Sequence, residues 1–246
     1  MLTCARRRTG LVKQEKPSRR LAYTDWVSYN PNAPIYIYYD QLVERLGASP
    51  APLSKCRMAI VASLPVSSLP KSARHTIGIA AFTSDFAKER MMPPTVWGEL
   101  LQRDTGSDPL RLLIFGTEKN QPAAQEMMSA LKTFLPQSDI IDLCGKHNLA
   151  ETAALFGLCD EVWAVDTGLL HLVRLLGIPS RSFWGPTMPS QRLRPVEGLQ
   201  EQVFYRPFIC SPCVQVGVMP PCQGRNLCMI TMREENPDLK PSWIQS

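Results

Sequence analysis

The chain has 246 residues, 44% of them hydrophobic, and a formal net charge of +5 at neutral pH. That is enough chain for one large domain or two small ones of ordinary globular composition. No apolar run approaches the ~18 residues of a membrane-spanning helix, and there is no Walker loop, Gly-x-Gly-x-x-Gly or Asp-x-Asp, so ATPase, dinucleotide-dependent and metal-dependent sugar-transfer readings lack a motif.

Much of the positive charge lies between Arg6 and Arg20, and Arg6-Arg7-Arg8 is not followed by the apolar stretch of a signal peptide. A basic face suits an anionic ligand and is equally what a solvated surface looks like. Pro50, Pro52, Pro65 and Pro70, with a Ser- and Pro-rich stretch from Ser63 to Ser72, mark residues 54–72 as a linker. From Thr76 to Phe82, small and β-branched residues predict a strand, and Thr83-Ser84-Asp85-Phe86-Ala87-Lys88 follows it. Leu110 to Phe115 predicts a second strand, Gly116-Thr117-Glu118-Lys119-Asn120 its loop, and Gln121 to Phe134 a helix. Glu118 is placed to put negative charge at that helix's N-terminus.

Further on, Glu161-Val162-Trp163-Ala164-Val165 is a short apolar run bounded by charge, which predicts a buried strand. Leu169, Leu172, Val173, Leu175 and Leu176 fall on helical spacing, and Gly177 with Pro179 stops that helix. Ser180 to Trp184 is the next strand, ending at Gly185-Pro186-Thr187. Asp166-Thr167-Gly168 therefore sits where a strand passes into a helix, the edge of an open parallel sheet at which ligands bind. A helix start presents unpaired N–H groups and a positive dipole end, which favour a phosphate or diphosphate. Gly168 allows close approach and Thr167 supplies a hydroxyl. Asp166 either caps the N–H groups or accepts bonds from ligand hydroxyls. His171, one turn in, leans back toward the loop. The same residues also make an ordinary helix cap.

Cys4, Cys56, Cys144 and Cys159 are scattered and read as buried or incidental thiols. Cys210, Cys213, Cys222 and Cys228 fall within nineteen residues and open with a Cys-x-x-Cys. That spacing is compatible with a four-cysteine structural zinc site, although the second pair is wider than a usual knuckle. Unliganded or disulfide-capable thiols are the alternative.

Three linked blocks carry a family resemblance. The first is Asp142-Leu143-Cys144-Gly145-Lys146 with Asn148-Leu149-Ala150-Glu151-Thr152-Ala153-Ala154-Leu155; the second is Asp166-Thr167-Gly168-x-x-His171; the third is Gly177-Ile178-Pro179 with Gly185-Pro186-Thr187. Over residues 20 to 232 the chain resembles the family 9 glycosyltransferases, the bacterial heptosyltransferases that build the inner core of lipopolysaccharide. The Cys-x-Pro-Cys … Cys … Cys-Met tail is similar to that of some members.

The resemblance implies an α/β fold of the GT-B type, in which two Rossmann-like domains face each other. Residues 73–246 would be the doubly wound, parallel-sheet donor domain, with the cysteine-rich tail at 210–228. Residues 1–53 would be a remnant of the N-terminal acceptor domain, largely missing here, with its last strand and last helix between residues 21 and 53. The implied donor site comprises Thr83 and Ser84 as a hydroxyl pair, Lys88 on the donor's phosphates, and Glu118 on the nucleotide's ribose. Asp166, Thr167, Gly168, Leu169 and His171 complete it. After that lysine the family usually continues with Arg or His, Trp and Pro, whereas this chain has Glu89-Arg90-Met91-Met92-Pro93.

The implied reaction moves a heptose or related sugar from a nucleotide-diphosphate donor such as ADP-heptose to a lipopolysaccharide core or lipid A-linked acceptor. It needs no metal and no cofactor, and no nucleic-acid partner is expected. The implied place is the bacterial cytoplasm, with peripheral contact at the inner membrane. The general base expected from the acceptor domain has no counterpart in the sequence, so no catalytic residue is assigned. A truncated, non-catalytic nucleotide-sugar-binding remnant is the alternative, and a zinc-ribbon interaction module a further rival.

Overall fold

The computed structural model describes residues 6–13, 16–30, 32–106, 108–213, 220, 222 and 225–233. Cys4, the outer ends of the two expected domains (1–5 and 234–246) and parts of the cysteine-rich tail (214–219, 221, 223 and 224) lie outside them. Two compact units are present: Met1–Lys55 with Pro189–Val196, and Cys56–Met188 with Glu197–Ser246.

In the first unit, β1 (Thr9–Lys13) pairs in parallel with β2 (Asp25–Tyr29), Leu11 standing opposite Val27. Helix α1 (Ile35–Arg45) follows Pro34, whose fixed φ suits a helix entry. Its buried Tyr38 both donates to the Asn30 carbonyl at 2.7 Å and accepts from the Asn30 N–H at 2.9 Å. A helical turn at Pro189–Arg192 belongs to this unit, and Arg194 just after it pairs with Asp40 at 2.5 Å and stacks over Tyr36.

Helix α2 (Leu53–Val61) occupies much of the stretch that the prolines mark as a linker. The reason is local: the prolines lie on either side of it, and Pro52 accepts the first N–H of the turn, from Lys55. Strand β1 was likewise not predicted, since five residues inside a basic run give no clear period.

The second unit is a six-stranded sheet. Its strands are β3 (Thr76–Ala80), β4 (Arg111–Ile114), β5 (Asp139–Asp142), β6 (Glu161–Val165), β7 (Ser180–Trp184) and β8 (Glu201–Tyr205). They lie in the order β5-β4-β3-β6-β7-β8, and every pairing is parallel. Crossovers run through α3 (Pro94–Thr105), α4 (Gln121–Phe134), α5 (Leu149–Phe156) and α6 (Gly168–Leu176). This is the doubly wound arrangement, with the direction of winding reversing between β3 and β6.

Strand periodicity divides the core. Leu112 and Ile114 pack with Trp97, Leu101, Met127 and Leu131 from α3 and α4, whereas Leu113 and Phe115 pack with Phe156 and Val173 from α5 and α6. Successive residues of β4 thus serve opposite faces, which is why the strand reads as a continuous apolar run. Helix α5 starts with a capping box: Asn148 and Glu151 exchange side-chain to backbone hydrogen bonds at 2.9 and 3.0 Å. Helix α6 ends at Gly177, which takes φ +76° and lets the N–H of Ile178 reach back to the Val173 carbonyl. Among the described residues no helix is long and apolar enough to cross a membrane.

Candidate functional site

The carboxyl edge of the sheet, above the reversal between β3 and β6, opens into a cavity of about 890 Å³. Strands β3, β4, β5 and β6 each contribute the stretch that follows them. Phe82, Thr83 and Ser84 come after β3, Phe115 to Asn120 after β4, Leu143, Gly145 and His147 after β5, and Thr167 and Leu169 after β6; Leu149 and Thr152 of α5 complete the wall.

Two of these loops are clamped together. The Gly145 N–H donates to the Gly116 carbonyl at 3.0 Å. Gly145 has φ +71°, and a Cβ there would lie 2.5 Å from the Glu118 Cα. The loop after β4 is further fixed by Asn120, whose Oδ1 accepts from the Thr117 N–H at 2.9 Å and from its hydroxyl at 2.8 Å. Glu118 is therefore presented, exposed, on a stiff turn. Across from it, His147 Nδ1 stands 3.7 Å from Glu151 at the start of α5.

The loop after β6 has a different chemistry. Thr167 is the extended N-cap of α6, and a Cβ added at Gly168 would meet nothing within 4 Å, so the helix N-terminus faces open space. Asp166 is only 5% exposed, and its Oδ2 has no hydrogen-bond partner. The Nη1 of Arg90 lies 3.4 Å from that oxygen and 3.4 Å from the Asp166 carbonyl. Thr187, in the loop after β7, is fully buried, and its hydroxyl also lacks a partner.

Of the residues predicted from sequence, Thr83, Ser84, Glu118, Thr167 and Leu169 line the one cavity, and Asp166 and Gly168 flank Thr167. Lys88 and His171 are exposed and lie outside the lining. The cation beside Asp166 is Arg90, two residues past Lys88 at the end of the 3₁₀ turn Asp85–Arg90. Spacing could have found it: counted back from Pro93, Arg90 rather than Lys88 stands three residues away. Gly145, His147 and Thr152 were not assigned to the site, although Gly145 and Thr152 fall in the first block of the resemblance; only the fold brings that loop and helix to the cavity.

Burial disfavours the thiolate at several of the described cysteines. Burial pushes the thiols of Cys144, Cys159 and Cys228 up to about 12, helped at Cys144 by its hydrogen bond to Asp142 and at Cys228 by the neighbouring Cys213, Cys210 and Cys222. Among the described residues no group of three or more His, Cys, Asp or Glu is arranged to hold a metal ion. A raised pKa keeps a thiol protonated, and only the thiolate is nucleophilic. At pH 8 we expect iodoacetamide, read by mass spectrometry, to spare these three in folded protein and label them in guanidinium. Rapid labelling of Cys144 in the folded state would show that the loop after β5 opens.

Fold and site together define an α/β protein of the doubly wound class with an anion-ready edge at the winding reversal. Within that class the chain belongs to glycosyltransferase family 9 (heptosyltransferase), whose model matches residues 5–220. It is 34% identical over 76 residues to lipooligosaccharide heptosyltransferase 2 of Haemophilus influenzae, a stretch making up 31% of this chain and 22% of that protein. The structure of E. coli ADP-heptose lps heptosyltransferase II matches with a TM-score of 0.58 at 20% identity, covering 80% of this chain and 61% of that one. E. coli heptosyltransferase WaaC with ADP matches at 0.53 and 22% identity, covering 78% and 56%. These likenesses show the heptosyltransferase fold of the GT-B type. The chain spans less than two thirds of the length of each of these relatives.

Proposed function

We propose that this chain binds a nucleotide-diphosphate sugar of the ADP-heptose kind and takes part in its transfer to a lipopolysaccharide core or lipid A-linked acceptor. The observation that carries the reading is the open N-terminus of α6 at Gly168, set in one cavity with the hydroxyls of Thr83, Ser84 and Thr167 and the carboxylate of Glu118. In this reading the diphosphate lies against the α6 N–H groups, where the helix end stabilises the charge that grows as the glycosidic bond breaks. Glu118 accepts from the ribose hydroxyls. Leu143 and Leu149 give the base apolar faces, and His147 supplies a polar edge. The names of the relatives, which print ADP-heptose, lps and lipooligosaccharide, support the donor and acceptor classes. A lipid-anchored acceptor would draw the protein to the inner face of the bacterial inner membrane. The reaction needs no metal, and EDTA is expected to leave it unchanged.

The test is calorimetric titration with ADP and ADP-heptose, for the native chain and for Gly168→Val. Because a Cβ added at Gly168 meets nothing within 4 Å, the variant should keep its unfolding midpoint while filling the space assigned to the diphosphate. Binding should weaken by about tenfold or more, the equivalent of ~1.4 kcal/mol. Unchanged affinity in a folded Gly168→Val would remove the diphosphate from this helix end. Donor binding with no transfer to core acceptor would reduce the reading to nucleotide-sugar binding.

A further inference from the structure

The positive charge of this protein is concentrated rather than spread. Residues 6–29 hold seven of the 27 lysines and arginines but only Glu15 and Asp25 of the 22 acids, so the whole formal charge of +5 lies there and the rest of the chain balances. Asp25 is itself paired with Arg45 at 2.8 Å. Within this stretch an apolar tip stands among the cations. The 3₁₀ turn Pro17–Ala22 has no buried residue, and Leu21, directly after Arg19 and Arg20, is 87% exposed. Lys16, just ahead of the turn, is exposed as well. Trp26 of β2 is 38% exposed, with the Arg20 guanidinium 5.5 Å from its ring centroid. Arg8 holds the turn in place: its Nε donates to the Ala22 carbonyl and its backbone N–H to the Thr24 hydroxyl, each at 2.8 Å. A single exposed leucine or indole is ordinary on a protein surface. Here both are fixed beside the concentrated charge.

That combination selects among anionic partners. A polynucleotide would engage the cations and stack on Trp26 while leaving Leu21 in water. A bilayer interface uses all three: the leucine enters the acyl boundary, the indole sits at headgroup level and the cations meet anionic headgroups. We propose that Lys16, Arg19, Arg20, Leu21 and Trp26 form a docking surface for an anionic phospholipid bilayer. One leucine and a few cations give weak, reversible and salt-sensitive attachment. Such attachment brings a lipid-anchored acceptor within reach, and that role, though not the surface itself, rests on the reading of function above. The surface makes no use of the donor cavity.

The test is co-sedimentation of the full chain with vesicles of two kinds: phosphatidylglycerol and phosphatidylcholine in equal parts, and phosphatidylcholine alone. Partitioning should be about tenfold or more stronger onto the anionic vesicles and should fall steeply with added salt. Arg19→Gln combined with Arg20→Gln should weaken it about tenfold or more, at roughly fivefold per surface cation. Leu21→Ser should weaken it about fivefold or more. Val66→Ser is the control, since Val66 is 97% exposed in an uncharged stretch, and it should change nothing. All four positions are exposed, and circular dichroism confirms that each variant is folded. No preference for the anionic vesicles would overturn the proposal. So would a Leu21→Ser effect no larger than that of Val66→Ser, or capture of a single-stranded oligonucleotide in preference to the anionic vesicles. ADP titration is a separate measurement. Absent vesicle binding with ADP binding intact sinks only this surface, and a chain that docks on vesicles without binding ADP sinks only the donor site.

Discussion

Gly145→Ala is expected to lose about 2–5 kcal/mol of folding stability and, with it, nucleotide binding. Two terms combine. Glycine at φ +71° sits in the left-handed region, where a Cβ costs about 1–2 kcal/mol. The Cβ would also stand 2.5 Å from the Glu118 Cα and 2.8 Å from the Glu118 N. Those are backbone atoms, so no rotamer change relieves the clash, and overpacking of this kind costs about 1–3 kcal/mol. The loop after β4 has to move. Because Asn120 fixes Thr117 and the Gly145 N–H holds Gly116, the move displaces Glu118 from the cavity wall. Gly198 is the control. It has φ +72° but no atom within 4 Å of its would-be Cβ, so alanine there meets only the conformational term and leaves the site intact. Urea midpoints and ADP titration on both variants decide the matter. If Gly145→Ala matched Gly198→Ala in stability and still bound ADP, the two loops would be shown to part freely.

The second unit was largely legible because its signals are local. The apolar run Glu161–Val165 is β6 with the same bounds, the helix Gln121–Phe134 is α4, and Gly177 ends α6 in the left-handed conformation. Asp166 to Leu169 pointed to the sheet edge because a strand, a glycine and a helix follow in sequence there. Arg90 did not stand out beside Lys88, and only the fold brings it next to Asp166, 76 residues further along the chain. His147 and Thr152 are silent for the same reason: three loops must converge before they share a cavity with Thr83. The stretch before β3 was harder to read, because β1 lies in a basic stretch and α2 lies between prolines that signal a linker. Local punctuation announces where an element stops, and it leaves open whether the interval between stops folds.

The second large effect lies away from the cavity, in what holds α6 to the sheet. Arg174 of α6 is only 6% exposed, and Glu201 of β8 meets it through two bonds, Nε to Oε2 at 2.6 Å and Nη2 to Oε1 at 3.0 Å. A two-pronged contact of this geometry is directional as well as strong. Glu201→Ala leaves the guanidinium buried opposite an alanine, and removing one partner of a buried pair costs about 3–5 kcal/mol. Replacing both, as Arg174→Met with Glu201→Leu, removes the stranded charge and should restore most of that loss, because the pair itself contributes little beyond its own desolvation. Arg45 and Asp25 give the contrast. They pair at 2.8 Å with 54% and 28% of their side chains exposed, and Asp25→Ala should change stability by no more than about 1 kcal/mol. Added salt should shrink the Asp25 effect and barely touch the Glu201 effect, since a buried pair is poorly screened. Urea midpoints with and without 0.5 M NaCl would measure both. A Glu201→Ala loss as small as that of Asp25→Ala would mean that Arg174 swings out to water. The N-terminus of α6, where we propose that the diphosphate binds, would then rest on packing alone.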